Sequence, residues 1–476
     1  MRIEDEPEKT AVLRFTQMIF RQKGTLTRRI IHAIIAIALR LFFRRIEVSG
    51  ISRVPFDEPL IFVLNHPNGL IDPALVFVAL PRRVSFLAKS TLFTIPVAGF
   101  LLRTLEALPL YRRVDAGENM ALNQRTFAAC FELLRQNRCI ALFPEGISHS
   151  STRLLPLKTG AARIALGALA VGGEKLRSLR IVPVGLYYTS KTSFRSEALL
   201  RFGLPFEVLP VMPDKDGQPP REAVLELSEQ IDEKLREVTL NVENADAFEV
   251  IKRTEQLFSS VYESINFRVS LAEEFDLRRR FAAQFEKIAQ QNPAQANALA
   301  ERIENYESQL RKINLASEHL SVVRHSIWFV FRHFLLRVGI ILALSPLIIV
   351  GAIIHFPAYL LCLLLSRTFR FHGIDDSGGT IKIVAAIALM PLTWLIIAGI
   401  VFYLSDWRFA VAAFPAMITC GYAALRGLEE AIDLRGWFKA LWVLLRQPHT
   451  FVRLLMSRHT LHREISKISE QSTVNS

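Results

Sequence analysis

The sequence has few cysteines, and their spacing builds neither a disulfide framework nor a zinc site. Four are present among 476 residues (Cys130, Cys139, Cys362 and Cys420), and none forms a CxxC pair. Disulfide-stabilised secreted domains and zinc ribbons depend on closely spaced cysteines. Two of the four lie inside apolar stretches, so we exclude both classes and expect no metal site.

An export signal is also missing from the first residues. The segment MRIEDEPEKTAVLRF is acidic and polar, where a secretory signal is basic and then apolar. Internal repeats and low-complexity tracts are absent from the sequence too. We therefore expect the bulk of the chain on the cytosolic side of a membrane.

Acidic residues are outnumbered, with 45 Asp and Glu against 58 Lys and Arg, which gives a net charge of +13. This balance suits an anionic membrane surface, an anionic substrate or a nucleic acid, and charge alone does not choose among them. The hydrophobic fraction of 51% is too high for a disordered chain or an evenly composed soluble enzyme. Because 476 residues exceed what one core organises, we expect at least two parts, one of which contacts lipid.

Three long segments in the last third lack charged side chains. Val338–Ser366 has none apart from a histidine, Ile383–Ser405 is 23 residues long, and Phe409–Leu425 is 17 residues long. About 20 apolar residues span a bilayer as a helix, so the second fits well and the third is marginal. The first is overlong and is interrupted by Pro346 and Pro357. This pattern predicts two to four crossings, with a tight helical hairpin between the second and third segments.

Basic segments lie at both ends of the chain. Arg28–Arg45 reads RRIIHAIIAIALRLFFRR, which is too short and too charged for a comfortable span. It predicts an interfacial helix with its arginines at the headgroups, and an amphipathic core helix is the alternative. Residues 426–476 carry eight basic and five acidic residues, which predicts a cytoplasmic tail. An even number of crossings follows, unless the first apolar segment dips into the bilayer and returns.

The remaining sequence divides into an α/β region and a helical region. Short apolar runs alternate with amphipathic ones over residues 46–210, which is typical of an α/β domain. The predicted strands are Leu60–Leu64, Val84–Ala88, Leu108–Tyr111, Cys139–Phe143 and Arg180–Leu186, with helices that start near Pro73, Pro96, Gly117 and Lys158. After the linker Pro210–Pro220 the chain becomes charged and helical. The predicted organisation is an N-terminal segment (1–45), an α/β domain (46–210), a helical insert (211–324), membrane helices (325–425) and a basic tail (426–476).

The loop NHPNGLIDP follows the first predicted strand and carries a histidine and an aspartate. Its turn can bring the Asp72 carboxylate toward the His66 ring, and an imidazole paired with a carboxylate is a candidate general base. Asp72-Pro73 is also a good helix start, with Asp as the N-cap. The alternative is therefore that Asp72 only caps its helix and His66 only satisfies a strand end.

The segment FPEGISHSSTRLLPLKTG follows another predicted strand. Its glycine lets backbone amides approach a ligand, and Lys158 near a helix start adds charge for a phosphate. Glu145 and Ser148 can hydrogen-bond to a small polyol. A serine nucleophile in this segment is disfavoured because the second glycine of G-x-S-x-G is missing.

A third loop begins in LPLYRRVD, where Arg112 and Arg113 follow a short apolar run. Adjacent strand residues point to opposite faces, so only one of the two is expected to enter the site. The planar fork of arginine suits a phosphate. A surface arginine pair is the alternative interpretation. The run IVPVGLYY, residues 181–188, offers little reactive chemistry and is expected to line a pocket.

Taken in order, NHPNGLIDP, LPLYRR, FPEGISHSSTRLLPLKTG and IVPVGL resemble the four blocks of the phospholipid/glycerol acyltransferase superfamily. The resemblance covers about residues 45–210, and with the C-terminal apolar segments the chain looks similar to the membrane-embedded fungal glycerol-3-phosphate/dihydroxyacetone-phosphate acyltransferases. It implies that His66 is the base and Asp72 its orienting acid. It also implies a substrate-binding arginine at Arg112 or Arg113 and a phosphate-side loop at Glu145, Gly146 and their neighbours, among which Ser148 and Lys158 are candidates.

The sequence departs from the family pattern at two places. Five residues separate His66 from Asp72 where the family has four, an extra residue that a loop before a helix absorbs. The FPEG block continues Ile-Ser-His where Thr-Arg-Ser is common, which removes an arginine that Arg153 or Lys158 could replace.

The resemblance implies transfer of a fatty acyl group from acyl-CoA or acyl carrier protein to glycerol 3-phosphate, with no cofactor besides this co-substrate. It further implies an integral membrane protein with its catalytic domain on the cytoplasmic face. A lysophosphatidate or other lysophospholipid acyltransferase is the alternative enzyme. A catalytically inactive lipid-binding scaffold is the alternative from another class. A nucleic-acid partner is disfavoured, because the basic residues lie around apolar segments and no recognition motif is present.

Overall fold

A computed structural model describes residues 11–12, 25–80, 82–112, 120–149, 151, 153–242, 249–251, 253, 270–315, 320, 327–369 and 378–470 of the chain. The chain divides into two compact units. The first consists of residues 1–241 together with 369–383, and the second of residues 242–368 together with 384–476.

The described part of the first unit contains one sheet of nine strands. They are β1 (Ala11–Val12), β2 (Arg45–Ser49), β3 (Leu60–Leu64), β4 (Val84–Lys89), β5 (Leu108–Leu110), β6 (Cys139–Leu142), β7 (Arg180–Tyr188), β8 (Glu197–Phe202) and β9 (Phe206–Glu207). Their order is β1-β2-β8-β7-β3-β6-β4-β5, with β9 beside β7. From β7 to β5 neighbouring strands are parallel, whereas β8 runs antiparallel to β7.

Six α-helices accompany this sheet in the described residues up to 242. They are α1 (Leu26–Phe42), α2 (Ile71–Ala79), α3 (Pro96–Thr104), α4 (Asn123–Arg135), α5 (Gly160–Gly172) and α6 (Arg221–Val238). The central strand β3 reads LIFVL and is buried throughout, as expected for a parallel strand that is covered on both faces. Phe62 and Leu64 share a core with α1 and α2, and Ile61 and Val63 share the opposite core with α4, α5 and α6. The site-bearing loops therefore extend from a sheet packed between two helical layers.

The predicted α/β class is confirmed, and the five predicted strands are all present. β3 has the predicted bounds, and the others differ by one or two residues at an end. Two further strands, β2 and β8, lie beside the parallel core and are not among the predicted ones, because their charged residues mask their alternation. The compact unit also extends beyond residue 210, because α6 buries Val224, Leu227 and Ile231 against the sheet.

Helix α1 occupies the segment for which an interfacial helix is predicted. Ala36 and Leu39 pack on the sheet, while the side chains of Leu26, Ile30, Ile34, Ile37 and Leu41 form an exposed apolar stripe. The interfacial role stays a prediction. The placement of all its arginines at headgroups is wrong, because Arg28 is buried and donates to the Leu105 and Val84 carbonyls. Burial, and then the nearby Arg83 charge, lower the pKa of Arg28 to about 10.

The second unit is helical in its described part. It contains α7 (Leu271–Gln291), α8 (Pro293–Lys312), α9 (Ile327–Thr368), most of α10 (Gly378–Leu404), α11 (Trp407–Arg446) and α12 (Pro448–Glu470). Among the described helices, three are long and apolar enough to cross a membrane: Phe334–Thr368 within α9, α10 and α11. Their best windows have mean hydropathies of 2.4, 2.4 and 1.4.

Contacts among these three apolar helices join them to one another. Trp394 Nε1 of α10 donates to His355 Nε2 of α9 at 2.9 Å. The rings of Trp394 and Phe414 lie 5.6 Å apart, in agreement with the predicted hairpin of α10 and α11. Helix α9 continues through Pro346, whose missing N–H leaves the Leu342 carbonyl without its usual helical donor. The hydroxyl of Ser345 donates to that carbonyl instead, at 2.7 Å.

Candidate active site

The first site loop leaves the carboxyl end of β3 and enters α2. The helix begins at Ile71 and its N-cap position, Leu70, provides no side-chain cap, so the prediction that Asp72 caps the helix is wrong. Asp72 lies in the first turn, and its Oδ2 is 2.7 Å from Nδ1 of His66. The expected approach of the two side chains is confirmed, and the extra loop residue does not prevent it.

The His66 ring is fixed on one edge and accessible on the other. It stacks on Phe143, with ring centroids 4.2 Å apart, and 18% of its side chain is exposed. The carboxylate beside Nδ1 favours the tautomer that carries its proton there. Nε2 is then left with a lone pair that can accept a proton from a bound hydroxyl.

Asp72 is fully buried, and three hydrogen bonds satisfy its carboxylate. Besides the His66 ring, the backbone N–H of Asn68 donates to Oδ2 at 2.7 Å, and the Tyr188 hydroxyl donates to Oδ1 at 2.5 Å. A buried carboxylate is costly unless such donors replace water. The arrangement holds Asp72 as an acceptor that faces the imidazole.

Glu145, in the second site loop, connects that loop to the His66 loop. Its Oε1 accepts from the backbone N–H of His66, and its Oε2 accepts from Leu155 N, both at 2.9 Å. The ring of His149 contacts Oε2 as well. The carboxylate is buried with both oxygens occupied, so we interpret it as a clasp between the loops. A direct contact between Glu145 and substrate stays a prediction.

A second hydrogen bond joins the same two loops through Ser148. Its Oγ accepts from the backbone N–H of Gly69 at 2.8 Å, and the side chain is buried. This position supports the His66 loop and does not present the hydroxyl at the surface. The disfavoured role as a nucleophile gains no support from it, and the predicted substrate contact stays a prediction.

Two cationic side chains flank Gly146. Arg112 donates from Nη1 to the Gly146 carbonyl at 2.8 Å, and the aliphatic part of Lys158 crosses the glycine. Gly146 has a φ of +75°, and a Cβ there would lie 2.9 Å from Lys158 Cε. The positive φ favours glycine at this turn, and a Cβ here would force the lysine side chain to shift. Both cations are placed where they can attract a phosphate.

The structure thus brings together seven of the eight predicted site residues. They are His66, Asp72, Arg112, Glu145, Gly146, Ser148 and Lys158, whereas Arg113 lies outside the described residues. Sequence reasoning missed Tyr188, His149 and Asn65. Asn65 bonds through Nδ2 to the Leu186 carbonyl and through Oδ1 to its N–H. Tyr188 and Asn65 act across more than 100 residues of sequence, which no local spacing signals.

Two family models match the chain. Residues 45–187 match the acyltransferase model, and residues 254–473 match the model described as the C-terminal domain of glycerol-3-phosphate acyltransferase 2. The first match covers β2 to β6, most of β7 and the site residues named above except Tyr188. The second covers the apolar helices of the second unit.

Several curated proteins are similar to this chain. Glycerol-3-phosphate O-acyltransferase 2 of Saccharomyces cerevisiae is 26% identical over 352 residues, which cover 68% of this chain and 46% of that protein. Glycerol-3-phosphate O-acyltransferase 1 of the same yeast is 26% identical over 494 residues, with coverages of 84% and 63%. The 1-acyl-sn-glycerol-3-phosphate acyltransferase of Haemophilus influenzae is 30% identical over 142 residues, or 28% of this chain and 57% of that protein. The matches thus span 46% and 63% of the two yeast relatives' lengths.

Proposed function

We propose that this chain is an acyltransferase of glycerolipid synthesis, as its family-model matches and yeast relatives suggest, and that it transfers a fatty acyl group from an acyl thioester to a hydroxyl of glycerol 3-phosphate. The contact of 2.7 Å between the His66 imidazole and the Asp72 carboxylate carries this proposal. This contact supplies an oriented base, and Arg112 and Lys158 supply positive charge at Gly146. Acylation of a phosphorylated alcohol needs both a base and a site for the phosphate.

In the proposed mechanism no acyl-enzyme forms. Nε2 of His66 takes the hydroxyl proton, the alcohol oxygen attacks the thioester carbonyl carbon, and backbone amides stabilise the resulting oxyanion. The intermediate collapses with cleavage of the C–S bond, and the imidazolium gives its proton to the departing thiolate, which leaves as the free thiol. Arg112 and Lys158 hold the acceptor's phosphate. Since the thioester is already an activated acyl donor, the proposal includes no cofactor.

Replacement of the base tests this function. The full-length His66→Ala protein is assayed in detergent with glycerol 3-phosphate and palmitoyl-CoA. Its kcat should fall by roughly 10²–10⁴-fold, which is the usual contribution of a general base. His459→Ala is a matched control, because His459 is exposed on α12. A folded His66→Ala protein with wild-type turnover would overturn the proposed base.

Lysophosphatidate is the second candidate acceptor. The similarity to the Haemophilus enzyme over 142 residues favours this alternative. The two acceptors share a glycerol phosphate and differ by one acyl chain. Initial rates of palmitoyl-CoA consumption with each acceptor at equal concentration would separate them. Failure to consume any acyl-CoA with either would favour the inactive lipid-binding scaffold.

We further propose that the first unit, which carries the candidate active site and is called the catalytic unit below, faces the cytoplasm and works at a bilayer. Acyl-CoA and acyl carrier protein are cytosolic donors, and the three apolar helices give the chain a place in lipid. An acceptor with an acyl chain, or an acylated product, would then exchange with the adjacent membrane.

A further inference from the structure

Tyr188 is the last residue of β7 and carries a buried hydroxyl that the proposed mechanism does not use. The strand pairs it with Ala198 of β8. Its ring stacks on Phe43, with centroids 5.7 Å apart. Backbone and ring are therefore both held by the core, and the hydroxyl that reaches Asp72 has little freedom to move.

The hydrogen bonds of Asp72 are divided unequally between its two oxygens. Oδ2 accepts from the His66 ring and from Asn68 N, whereas Oδ1 accepts from the Tyr188 hydroxyl. Rotation of the carboxylate about its Cβ–Cγ bond would exchange the two oxygens. Tyr188 opposes that rotation, because it binds the oxygen that does not face the histidine.

We propose that Tyr188 is a positioning residue for the acyl transfer, which fixes the Asp72 carboxylate so that Oδ2 stays aligned with His66. This inference rests on the proposed function and deepens it. The tyrosine hydroxyl bonds to Asp72 and takes no part in the proposed proton transfer. It acts through Asp72 by setting the orientation of the Asp72 carboxylate and by sharing the negative charge of that carboxylate.

The hydroxyl remains a donor throughout the pH range of an assay. Burial, followed by the charge of Asp72 and the hydrogen bond to it, raises the pKa of Tyr188 well above its ordinary value. The hydroxyl therefore does not ionise beside the carboxylate. Its partial withdrawal of charge from Asp72 weakens the hold of that carboxylate on a protonated imidazole.

Tyr188→Phe tests the proposal, because it keeps the stacked ring and removes only the hydroxyl. We expect kcat to fall roughly tenfold, which is the effect of losing a hydrogen bond to a charged group, while KM for glycerol 3-phosphate stays within about twofold because no substrate contact is lost. The acid limb of the pH–kcat profile should move to higher pH, since Asp72 then binds the imidazolium more strongly. Tyr403→Phe, whose exposed side chain lies in the second unit, should change neither quantity.

A double-mutant cycle with Asp72→Asn distinguishes positioning from a general structural role. If Tyr188 acts through Asp72, removal of its hydroxyl in the Asp72→Asn background should have little further effect on kcat. Independent, multiplicative losses would overturn the proposal, as would a folded Tyr188→Phe protein with wild-type kcat and pH profile. If wild-type protein acylates no acceptor, or His66→Ala retains turnover, the proposed function fails first and this inference with it.

A second variant covers the case in which Tyr188→Phe does not fold. Incorporation of 3-fluorotyrosine at position 188 keeps the hydroxyl and makes it a stronger donor. The acid limb should then move to lower pH, opposite to the shift expected for phenylalanine. An unchanged limb in a folded, active protein would contradict the proposal.

Discussion

At the scale of residues, the site depends on hydrogen bonds that reach from one loop to another. Glu145 shows this most clearly, because one carboxylate accepts from the backbone of His66, the backbone of Leu155 and the ring of His149. A carboxylate offers enough lone pairs for these donors. An amide of the same shape does not, since one of its two polar atoms is itself a donor.

Glu145→Gln should therefore lower kcat by roughly tenfold, the effect of weakening hydrogen bonds to a buried charged group. If Glu145 is a clasp, KM for glycerol 3-phosphate should change little, whereas direct binding of the acceptor would raise KM. Steady-state kinetics separate the two roles. Glu132→Gln on the exposed face of α4 is the control, and a rise in KM at unchanged kcat would contradict the clasp.

How far the site could be predicted depends on the range of its interactions. His66 and Asp72 are six positions apart, and their pairing could be inferred from a turn followed by a helix start. The clasp of Glu145 depends on which loop lies beside which, and this is set by the parallel pairing of β3 with β6. The position of Tyr188 beside Asp72 follows from the pairing of β3 with β7. These neighbours are determined by sheet order, which hydrophobic periodicity does not encode.

At the scale of elements, the first turn of α10 belongs to the catalytic unit. Gly379 lies against the Lys191 carbonyl and Ile71, and a Cβ there would be 2.6 Å from that carbonyl. The same carbonyl accepts from the Asn68 side chain at 3.2 Å. Lys382 reinforces the contact by donating to the Thr192 carbonyl at 2.7 Å. An apolar helix thus starts directly on the loop that holds Asp72.

Gly379→Ala should destabilise the catalytic unit by about 1–3 kcal/mol, the usual cost of overpacking, and should lower kcat through displacement of Asn68. Gly399→Ala is the matched control in the same helix, because a Cβ at Gly399 meets nothing within 4 Å. Thermal unfolding in detergent and initial rates would measure both effects. Equal behaviour of the two variants would show that the contact does not position the loop.

The predicted elements differ from the observed ones where tertiary packing overrides local pattern. The uninterrupted apolar run of β3 and the proline start of α3 are local signals, and the bounds of β3 and the first residue of α3 agree with the prediction. α6 looks like an ordinary charged helix from its sequence. Its apolar face, which includes Leu227 and Ile231, covers the sheet, and this could be anticipated only if the partner surface were known.

At the scale of the whole molecule, the excess of apolar residues and the excess of positive charge lie in different regions of the chain. The apolar excess lies largely in α9, α10 and α11, whereas the sheet forms an ordinary buried core. Eight basic residues against five acidic ones in residues 426–476 favour a cytoplasmic tail. If each of the three apolar helices crossed once, however, the tail and the catalytic unit would lie on opposite sides.

The membership of residues 369–383 in the catalytic unit removes this conflict. Charged residues recur throughout 242–326, which excludes an uninterrupted span between the catalytic unit and α9. The start of α9 is therefore on the side of the catalytic unit. The segment after its end packs within that unit through Gly379, so it lies on the same side. Since α9 is one continuous helix, we expect it not to cross the bilayer, and we expect α10 and α11 to cross as a hairpin.

Protease protection of tagged proteins in sealed, cytoplasmic-side-out vesicles tests this topology. Tags at the N-terminus and the C-terminus should both be digested, because two crossings return the chain to its starting side. A tag between Ser405 and Asp406, at the hairpin turn, should be protected until detergent opens the vesicles. Protection of the C-terminal tag alone would mean an odd number of crossings. The positive charge of residues 426–476 would then have been overridden by the hydrophobicity of α9, whose best window has the higher mean hydropathy, 2.4 against 1.4 for α11.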